Sequence, residues 1–274
     1  MTSSTCRFCG HTTEFAPINR EINKYKLFKC GHCASIGIAE QPTSEEIGRI
    51  YDQLFATGAY AQHREEYAEI MNGRAPYNPY RHLLLRYLEL KIPGRRMIEI
   101  GGGTGAFGNY AKSRGWQYSD FDISNVAVED VRTIGLDATV FSSSLLPPLP
   151  IDESDMVVMW EVIEHVFDVN GYLRKIFDSL KSGGIFLFST PNYYRKGYQG
   201  SDFGVLGSPP VHINFFTKDS LEFLLKNVGF SKLQIYKRRL FSPSPRTIKG
   251  LERSVCRLLG LEESPTLIGI AYKG

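Results

Sequence analysis

Hydrophobic positions from residue 97 onward fall into short apolar runs that are separated by amphipathic stretches. The runs RMIEI, WQYSDFDIS, DATVF, SDMVVMW and IFLFST predict five strands, and the stretches between them predict helices. The run SDMVVMW is apolar throughout, as expected of a strand that is covered on both faces. Two further strands, LQIYKRR and TLIGIAYKG, are predicted around the loop SPSP and a helix near 246–260. Strands that alternate with helices indicate an α/β protein with a doubly wound parallel sheet.

Capping residues mark where several of the helices begin and end. Thr43, followed three residues later by Glu46, fits a capping box at the start of a helical stretch. A second helix is predicted over about residues 79–90, and both helices precede the first central strand. A later helix is predicted over 168–181, closed by the glycine pair at 183 and 184. The chain is therefore predicted to consist of a cysteine-rich segment 1–40, a helical linker or lid 41–92, and a sheet domain 93–274.

Four of the five cysteines lie within the first 33 residues, as two Cys-x2-Cys pairs. Each pair, Cys6 with Cys9 and Cys30 with Cys33, places two thiols on one tight turn, and two such turns can complete a tetrahedral Zn²⁺ site. The spacing resembles a zinc ribbon, so segment 1–40 is predicted to hold a structural zinc ion. Reduced thiols without a metal and redox-active disulfides are the alternatives. So small a segment buries too little apolar surface to fold alone, so the metal would hold much of it together.

Composition narrows the class of protein. The 274 residues are 42% hydrophobic and 22% charged, and the formal net charge is +3. These values are typical of a globular protein and do not imply a strongly charged partner. No apolar run approaches the roughly 20 residues that a membrane span needs, and the first residues lack the pattern of a secretion signal. We therefore expect a cytoplasmic enzyme without a membrane span.

The segment EIGGGTG, which follows the first central strand, is a glycine-rich turn between a strand and a helix. Glycine lets the backbone turn sharply and approach a ligand closely. Glu99 stands two residues before the first glycine, Gly101. Asp122 ends the second strand about 20 residues further on, where a carboxylate can bind the two hydroxyls of a ribose. Asp120 is the competing ribose acid, and a nicotinamide-dependent enzyme shares this pattern, so these residues alone leave both choices open.

The succession of motifs along the chain is more specific than any one of them. In order, EIGGGTG, DFDIS, SDMVVMWEVIEHV, LKSGG, LFSTPN and HINFFT closely resemble the class I S-adenosylmethionine-dependent methyltransferases. The resemblance is strongest to the branch that holds the ubiquinone-biosynthesis O-methyltransferases and many sugar and natural-product methyltransferases. It covers roughly residues 75–274 and implies a mostly parallel seven-stranded sheet with one antiparallel strand.

The resemblance also implies which residues bind S-adenosyl-L-methionine. Asp122 would bind the ribose hydroxyls, and Trp160 with Glu161 would line the cofactor near its sulfonium. Ser142 stands near the expected position of the adenine, where the family often uses Asp or another polar residue. The residues that would hold the methionine end are Glu99, Gly101, Gly103 and Gly105.

The motif EVIEH places two carboxylates and an imidazole within one turn of backbone after the fourth strand. If a helix begins there, Glu161, Glu164 and His165 share one face. Together with His212, the set resembles the metal site of the small-RNA 3′-terminal 2′-O-methyltransferases, and ubiquinone-type O-methyltransferases carry a similar string. The resemblance implies a bound Mg²⁺ or Mn²⁺ that would orient an acceptor hydroxyl and lower its pKa. The alternatives are a general base without a metal, His165 or His212, and a structural role in shaping the cofactor pocket.

The expected acceptor is a hydroxyl on a small molecule, such as a nucleotide sugar or a glycan. Some sugar C-methyltransferases also carry an N-terminal cysteine-rich zinc segment, which supports a sugar without fixing the methylated atom. An RNA ribose 2′-hydroxyl is the alternative acceptor. The metal-type residues favour RNA, but the near-neutral charge does not, because phosphate contacts need clustered Lys and Arg. A scaffold that binds the cofactor without catalysis is a further alternative, against which the complete glycine loop and Asp122 argue.

Overall fold

The computed structural model describes residues 4–40, 42–57, 65, 67–69, 80–142, 145–193, 208–236 and 266–274. Within them, a small N-terminal module of short strands precedes a seven-stranded sheet that is flanked by helices. No helix in this part of the chain is long and apolar enough to cross a membrane. The helix predicted near 246–260 and the end of the predicted strand at 237–239 lie outside the described residues.

Strands and helices follow one another as the hydrophobic pattern predicts. The strands are β1 (Ser4–Thr5), β2 (Thr12–Thr13), β3 (Phe15–Ile22), β4 (Tyr25–Cys30), β5 (Ile36–Ile38), β6 (Arg96–Ile100), β7 (Gln117–Asp122), β8 (Asp137–Val140), β9 (Ser154–Trp160), β10 (Leu180–Pro191), β11 (Asn214–Phe215), β12 (Lys232–Tyr236) and β13 (Thr266–Tyr272). The helices are α1 (Ser44–Thr57), α2 (Tyr80–Leu88), α3 (Ala106–Ser113), α4 (Asn125–Thr133), α5 (Val169–Ser179) and α6 (Lys218–Val228), with a 3₁₀ turn at Ile163–His165.

The central sheet has the strand order β12-β13-β10-β9-β6-β7-β8. Strands β6 to β10 pair in parallel, and β13 pairs antiparallel with both β10 and β12. The chain enters the sheet at β6, continues outward to β8, and then crosses back to β9 on the other side of β6. The predicted α/β class and the seven-stranded sheet with one antiparallel strand are therefore confirmed.

Both faces of the central sheet are covered by apolar side chains. Along β9, Val157 and Met159 belong to the hydrophobic cluster on one face. Met156 and Val158, which alternate with them, belong to the cluster on the other face. All four side chains are fully buried. Because neither face of this strand meets water, its sequence carries no polar alternation.

One helix end differs from the prediction. The helix expected over 168–181 ends at Ser179, and β10 already begins at Leu180. Leu180 has extended backbone angles (φ −76°, ψ 139°) and pairs with Ser154 of β9. The register of this pairing then shifts before Ile185, so Gly183, at φ +76°, lies in an irregular part of the strand. The prediction that glycine closes the helix was wrong because strand pairing begins ahead of it.

The N-terminal module shares a sheet with the rest of the chain. Its second sheet has the order β11-β5-β4-β3, in which β3, β4 and β5 form an antiparallel meander. The edge strand β11 comes from the loop that follows β10, far along the chain. The four predicted zinc ligands are buried in the same hydrophobic cluster as one face of the central sheet. The module is therefore packed into the protein and includes a strand from well beyond residue 40.

Candidate active site

A cavity of about 540 Å³ lies at the carboxyl ends of the central strands. Its walls include the residues that follow β6, β7 and β9, together with parts of α1 and of the loop before β11. Because β7 and β9 lie on opposite sides of β6, this is the point at which open α/β sheets bind ligands. The predicted site residues that line the cavity are Glu99, Gly101, Gly103, Asp122, Trp160, Glu161, Glu164, His165 and His212.

Two predicted cofactor residues do not line this cavity. Gly105 is buried and stands at the N-cap position of α3, where φ is +73°. Ser142 is exposed, and its neighbour Phe141 is in the cavity wall instead. The wall near the end of β8 is therefore apolar.

The glycine-rich turn joins β6 to α3 and presents bare backbone to the cavity. Gly101 and Gly103 have φ values of +76° and +59°, in the left-handed region that favours glycine. A Cβ at Gly101 would lie 2.6 Å from Cγ2 of Val162, so no side chain fits there. A Cβ at Gly103 would meet no protein atom within 4 Å, so it would occupy open space in the cavity that this residue lines.

Glu99 is a buried acid in the cavity wall, only 2% exposed. Its Oε2 accepts a hydrogen bond of 2.6 Å from the hydroxyl of Tyr118. Burial raises the pKa of the Glu99 carboxyl to about 7, and the bond from Tyr118 and the charge of Arg81 limit that rise. Arg81 lines the same cavity, with its guanidinium 4.8 Å from the centre of the Trp160 ring. An acid and a cation in one cavity are complementary to the ammonium and carboxylate of an amino acid.

The two acids at the end of β7 have different surroundings. Asp122 lines the cavity, and its Oδ1 accepts a 2.8 Å hydrogen bond from the backbone N–H of Ser124. Asp120 is fully buried, and its Oδ1 accepts a 2.9 Å bond from the N–H of Gly102. Burial raises the pKa of Asp122 to about 6 and that of Asp120 well above its usual range. Asp120 thus holds the glycine-rich turn, whereas Asp122 can reach a ligand.

The same cavity contains a group of three ionisable side chains, Glu164, His165 and His212, which lie between the 3₁₀ turn and the loop before β11. The Oε1 atom of Glu164 lies 3.8 Å from Nε2 of His165 and 3.9 Å from Nε2 of His212. One ligand atom from each residue falls within 4.8 Å of the other two. This spacing leaves room for a cation between a carboxylate and two imidazoles, and this donor set suits a divalent transition metal.

The surroundings of Glu164 and His165 orient them towards this shared centre. Glu164 is 1% exposed; its Oε2 accepts a 2.9 Å bond from the hydroxyl of Thr190, while its Oε1 has no hydrogen-bond partner. The Nδ1 of His165 lies 2.8 Å from the carbonyl oxygen of Val211, so it donates there and leaves Nε2 as an acceptor. Burial lowers the pKa of the His165 imidazole to about 4.

Glu161 does not join this group of ligand atoms, although it lines the cavity. The sequence argument expected one helical face to carry Glu161, Glu164 and His165. Glu161 instead has a left-handed backbone, with φ +56°, and the 3₁₀ turn begins only at Ile163. The expected shared face was wrong because the strand ends in a turn and not in a helix.

The four N-terminal cysteines converge on one point. All four are buried and free, and their sulfur atoms lie within 4.8 Å of one another. The sulfurs of Cys6 and Cys33 are 4.0 Å apart, close to the roughly 3.8 Å that Zn–S bonds of about 2.3 Å require in a tetrahedron. The backbone N–H groups of Phe8 and Cys33 lie 3.4 Å from the sulfurs of Cys6 and Cys30. The cluster therefore fits a tetrahedral zinc ion.

Sequence reasoning missed Arg81, the cation beside Glu99. Arg81 lies on α2, three and four residues before the buried side chains of Leu84 and Leu85. That spacing places it on the buried face of an amphipathic helix. A charged residue on such a face was the signal that could have indicated a functional role.

Comparison with known proteins identifies the family of the chain. A family model described as a methyltransferase domain matches residues 67–235, more than half of the chain. The chain is 31% identical over 141 residues to the Mycolicibacterium smegmatis protein named "Probable S-adenosylmethionine-dependent methyltransferase", covering 51% of this chain and 53% of that protein. It is 26% identical over 140 residues to a ubiquinone biosynthesis O-methyltransferase of Bordetella avium, covering 49% and 57%. The chain thus spans about half the length of the curated relatives it matches.

Solved structures share the fold at low sequence identity. A phosphoethanolamine N-methyltransferase 2 from Haemonchus contortus superimposes with a TM-score of 0.60 and 17% identity, over 81% of this chain and 59% of that chain. An S-adenosylmethionine-dependent methyltransferase from Mesorhizobium loti gives a TM-score of 0.56 and 20% identity, over 72% of this chain and 99% of that chain. The chain therefore belongs to the methyltransferase-domain family, and its sheet is that of the class I S-adenosylmethionine-dependent methyltransferases.

Proposed function

We propose that this methyltransferase transfers the methyl group of S-adenosyl-L-methionine to a hydroxyl of a small molecule, such as a nucleotide sugar or a glycan. A divalent metal ion at Glu164, His165 and His212 would assist the transfer. One observation carries the proposal: a single cavity contains both the glycine-rich turn and the group of one carboxylate and two imidazoles. Direct transfer needs donor and acceptor held together in one enclosed space.

The cofactor roles rest on position and charge. Glu99 would accept a hydrogen bond from the ammonium of the methionine portion, and Arg81 would pair with its carboxylate. Asp122 would bind the ribose hydroxyls, and Trp160 would pack near the sulfonium. These four side chains line the cavity around the open space at Gly103. When bound, the cofactor supplies an electrophilic methyl group, and these residues hold it in place and exclude water.

The metal role rests on the unpaired oxygen of Glu164. Buried carboxylate oxygens normally have hydrogen-bond partners, but Oε1 of Glu164 has none and faces two imidazoles. A bound Mg²⁺ or Mn²⁺ would orient the acceptor hydroxyl and lower its pKa. The nitrogen ligands favour Mn²⁺ over Mg²⁺. Without a metal, His165 or His212 would take the hydroxyl proton as a general base.

The cysteine cluster would hold a structural zinc ion and make segment 1–40 a zinc ribbon. The 4.0 Å separation of the Cys6 and Cys33 sulfurs supports this assignment, as does the burial of all four thiols. Burial raises the pKa of the Cys9 thiol to about 11. A cation at the centre of the cluster would stabilise the thiolate forms, because thiols bind zinc after losing their protons.

Methyl transfer from labelled cofactor onto two pools of acceptors, nucleotide sugars and short RNAs, tests the proposal. Each reaction is run before and after EDTA treatment and again after addition of Mn²⁺ or Mg²⁺, with zinc content measured in the same samples. We expect label in the sugar pool, lost with EDTA and restored by Mn²⁺. Label in RNA would support the 2′-O-methylation alternative. Activity indifferent to EDTA, with zinc retained, would remove the second metal and leave a histidine base or positioning of the substrates alone.

A matched pair of variants locates the effect. His212→Gln removes one nitrogen from the group, whereas His11→Gln alters an exposed histidine outside the cavity. We expect the first variant to lose turnover and keep its affinity for the cofactor, and the second to keep both. Equal turnover in the two variants would contradict the proposed site.

A further inference from the structure

The loop that carries His212 is held by the N-terminal module. Strand β11 begins two residues after His212 and pairs antiparallel with β5 of the module. The backbone N–H of Ile38 also donates to the carbonyl of Ile213 at 3.1 Å. On the other side of His212, the amide of Asn23 donates to the carbonyl of Pro209 at 3.1 Å. His212 is thus flanked on both sides by contacts to the module.

Arg7, which lies between two cysteines of the cluster, also binds the loop that carries His212. It stands directly after Cys6 and two residues before Cys9. Its Nη2 donates to the carbonyl of Ile213 at 2.9 Å and to the side-chain Oδ1 of Asn214 at 3.0 Å. One nitrogen of the guanidinium therefore contacts both the backbone and a side chain of the loop.

Asn214 connects Arg7 to the 3₁₀ turn that carries Glu164 and His165. It is 1% exposed, and its Nδ2 donates to the carbonyls of Ile163 at 3.2 Å and of Val166 at 2.7 Å. Those two carbonyls stand on either side of the Glu164–His165 pair. Because Oδ1 accepts from Arg7 and Nδ2 serves the two carbonyls, the amide has one orientation that satisfies every partner.

We infer that Arg7 and Asn214 are positioning residues, through which the cysteine module helps to set the distance between the Glu164–His165 pair and His212, together with the direct 3.0 Å bond from the N–H of Ile213 to the carbonyl of Glu164. The meaning of this distance for catalysis rests on the proposed function. If the cysteine module served only as a lid over the substrate or as a docking surface for a partner, it would need no buried amide between the cysteine cluster and the 3₁₀ turn. When residues that hydrogen-bond to and orient metal ligands are lost, metal affinity or activity typically falls about 10- to 100-fold.

Two Asn→Asp variants at the same interface make a matched test. Asn214→Asp keeps the size of the side chain and an acceptor for Arg7, but it turns an oxygen towards two carbonyls. Asn227→Asp is the control. Nδ2 of Asn227 also donates to a backbone carbonyl, that of Cys9 at 3.2 Å, but this bond does not involve the segments that carry Glu164, His165 and His212. Arg7→Lys serves as a second variant, should Asn214→Asp fail to fold, since it keeps the charge and loses the planar guanidinium that places Nη2 against both acceptors.

The NMR signals of the histidine Cε1–H protons, recorded at fixed pH with no metal or acceptor added, report the surroundings of His165 and His212. The substitutions His165→Gln and His212→Gln assign the two signals, because each removes one of them. We expect Asn214→Asp to shift these two signals and to leave those of His11 and His32, which lie on the module, in place. Asn227→Asp should leave the signals of His165 and His212 unchanged. If Asn214→Asp and Arg7→Lys are folded and leave all signals unchanged, or if the control moves the same two signals, the inference is overturned.

Addition of Mn²⁺ then separates this inference from the proposed function. Selective broadening of the His165 and His212 signals in the wild-type protein would support the metal site, and Asn214→Asp should bind Mn²⁺ about 10- to 100-fold more weakly. Absence of broadening in the wild type would count against the metal site, while the shifts recorded without Mn²⁺ would still decide the positioning role.

Discussion

Replacing Gly103 with alanine separates the backbone conformation of the glycine-rich turn from its contact with a ligand. Gly103 has φ +59° and lines the cavity. Gly115, in the turn after α3, has φ +85° and is exposed outside the cavity. At neither position would a Cβ meet a protein atom within 4 Å. Gly115→Ala therefore imposes the same left-handed strain with no ligand nearby, which makes it the matched control.

The expected magnitudes follow from two separate costs. A left-handed alanine costs about 1–2 kcal/mol, so both variants should lose that free energy of unfolding. At roughly 2–4 °C per kcal/mol, their Tm values should fall by about 2–8 °C. In Gly103→Ala the new methyl group also competes with the cofactor for space, and such overpacking costs about 1–3 kcal/mol. At about 1.4 kcal/mol per tenfold change, the Kd for the cofactor should rise about 5- to 150-fold.

Calorimetric titration with S-adenosyl-L-methionine and thermal unfolding of the same samples check both values. We expect the two variants to share one fall in Tm, and only Gly103→Ala to bind more weakly than the wild type. If Gly103→Ala binds the cofactor as tightly as Gly115→Ala, the open space at Gly103 is not where the cofactor lies. Weakened binding in both variants would mean that strain in the fold, and not contact, controls affinity.

Three further predictions concern charge and metal. Because burial raises the pKa of Glu99 to about 7 and an ammonium binds the ionised carboxylate, calorimetry should show cofactor affinity rising between about pH 6 and pH 8. Glu99→Gln should remove the rise above about pH 7, whereas ionisation of Asp122, with a pKa of about 6, would still contribute below it. Arg81→Gln should weaken cofactor binding about 10- to 100-fold, the worth of a charge-assisted hydrogen bond, and an unchanged Kd would contradict its proposed pairing. Cys33→Ser should lose bound zinc and lower the Tm, whereas His11→Gln should retain zinc by elemental analysis; zinc retained in both would refute the four-thiol site.

The parts of the fold and site that the sequence could predict depend on local pattern. Apolar runs separated by amphipathic stretches gave the order of strands and helices, because each element buries its own apolar face. The carboxyl ends of neighbouring parallel strands meet at one edge, and Glu99 near the end of β6 and Asp122 at the end of β7 both line the cavity there. The paired cysteine spacing likewise brings four sulfurs together, because each turn is fixed by its own few residues.

The parts that the sequence could not predict depend on contacts between distant segments. Strand β11 has two residues, too few for any periodicity, and its partner β5 lies far away in sequence. The left-handed backbone of Glu161 follows from how the strand end meets the loop above it. Arg81 comes to the cavity through the packing of α2, which brings its charge near Glu99 of a distant strand.

The three interpretations of the Glu164–His165–His212 group make different demands on one atom. A purely structural role predicts that both carboxylate oxygens of Glu164 are hydrogen-bonded, since leaving one unpaired in the interior costs about 1–3 kcal/mol or more. A histidine base would use Glu164 to orient the imidazole and to stabilise its charged form, but at 3.8 and 3.9 Å the Oε1 atom makes no hydrogen bond to either ring. A cation would satisfy Oε1 of Glu164, and the two imidazoles lie at 3.8 and 3.9 Å from that oxygen. The unpaired oxygen is therefore the observation that supports the proposed metal-assisted transfer.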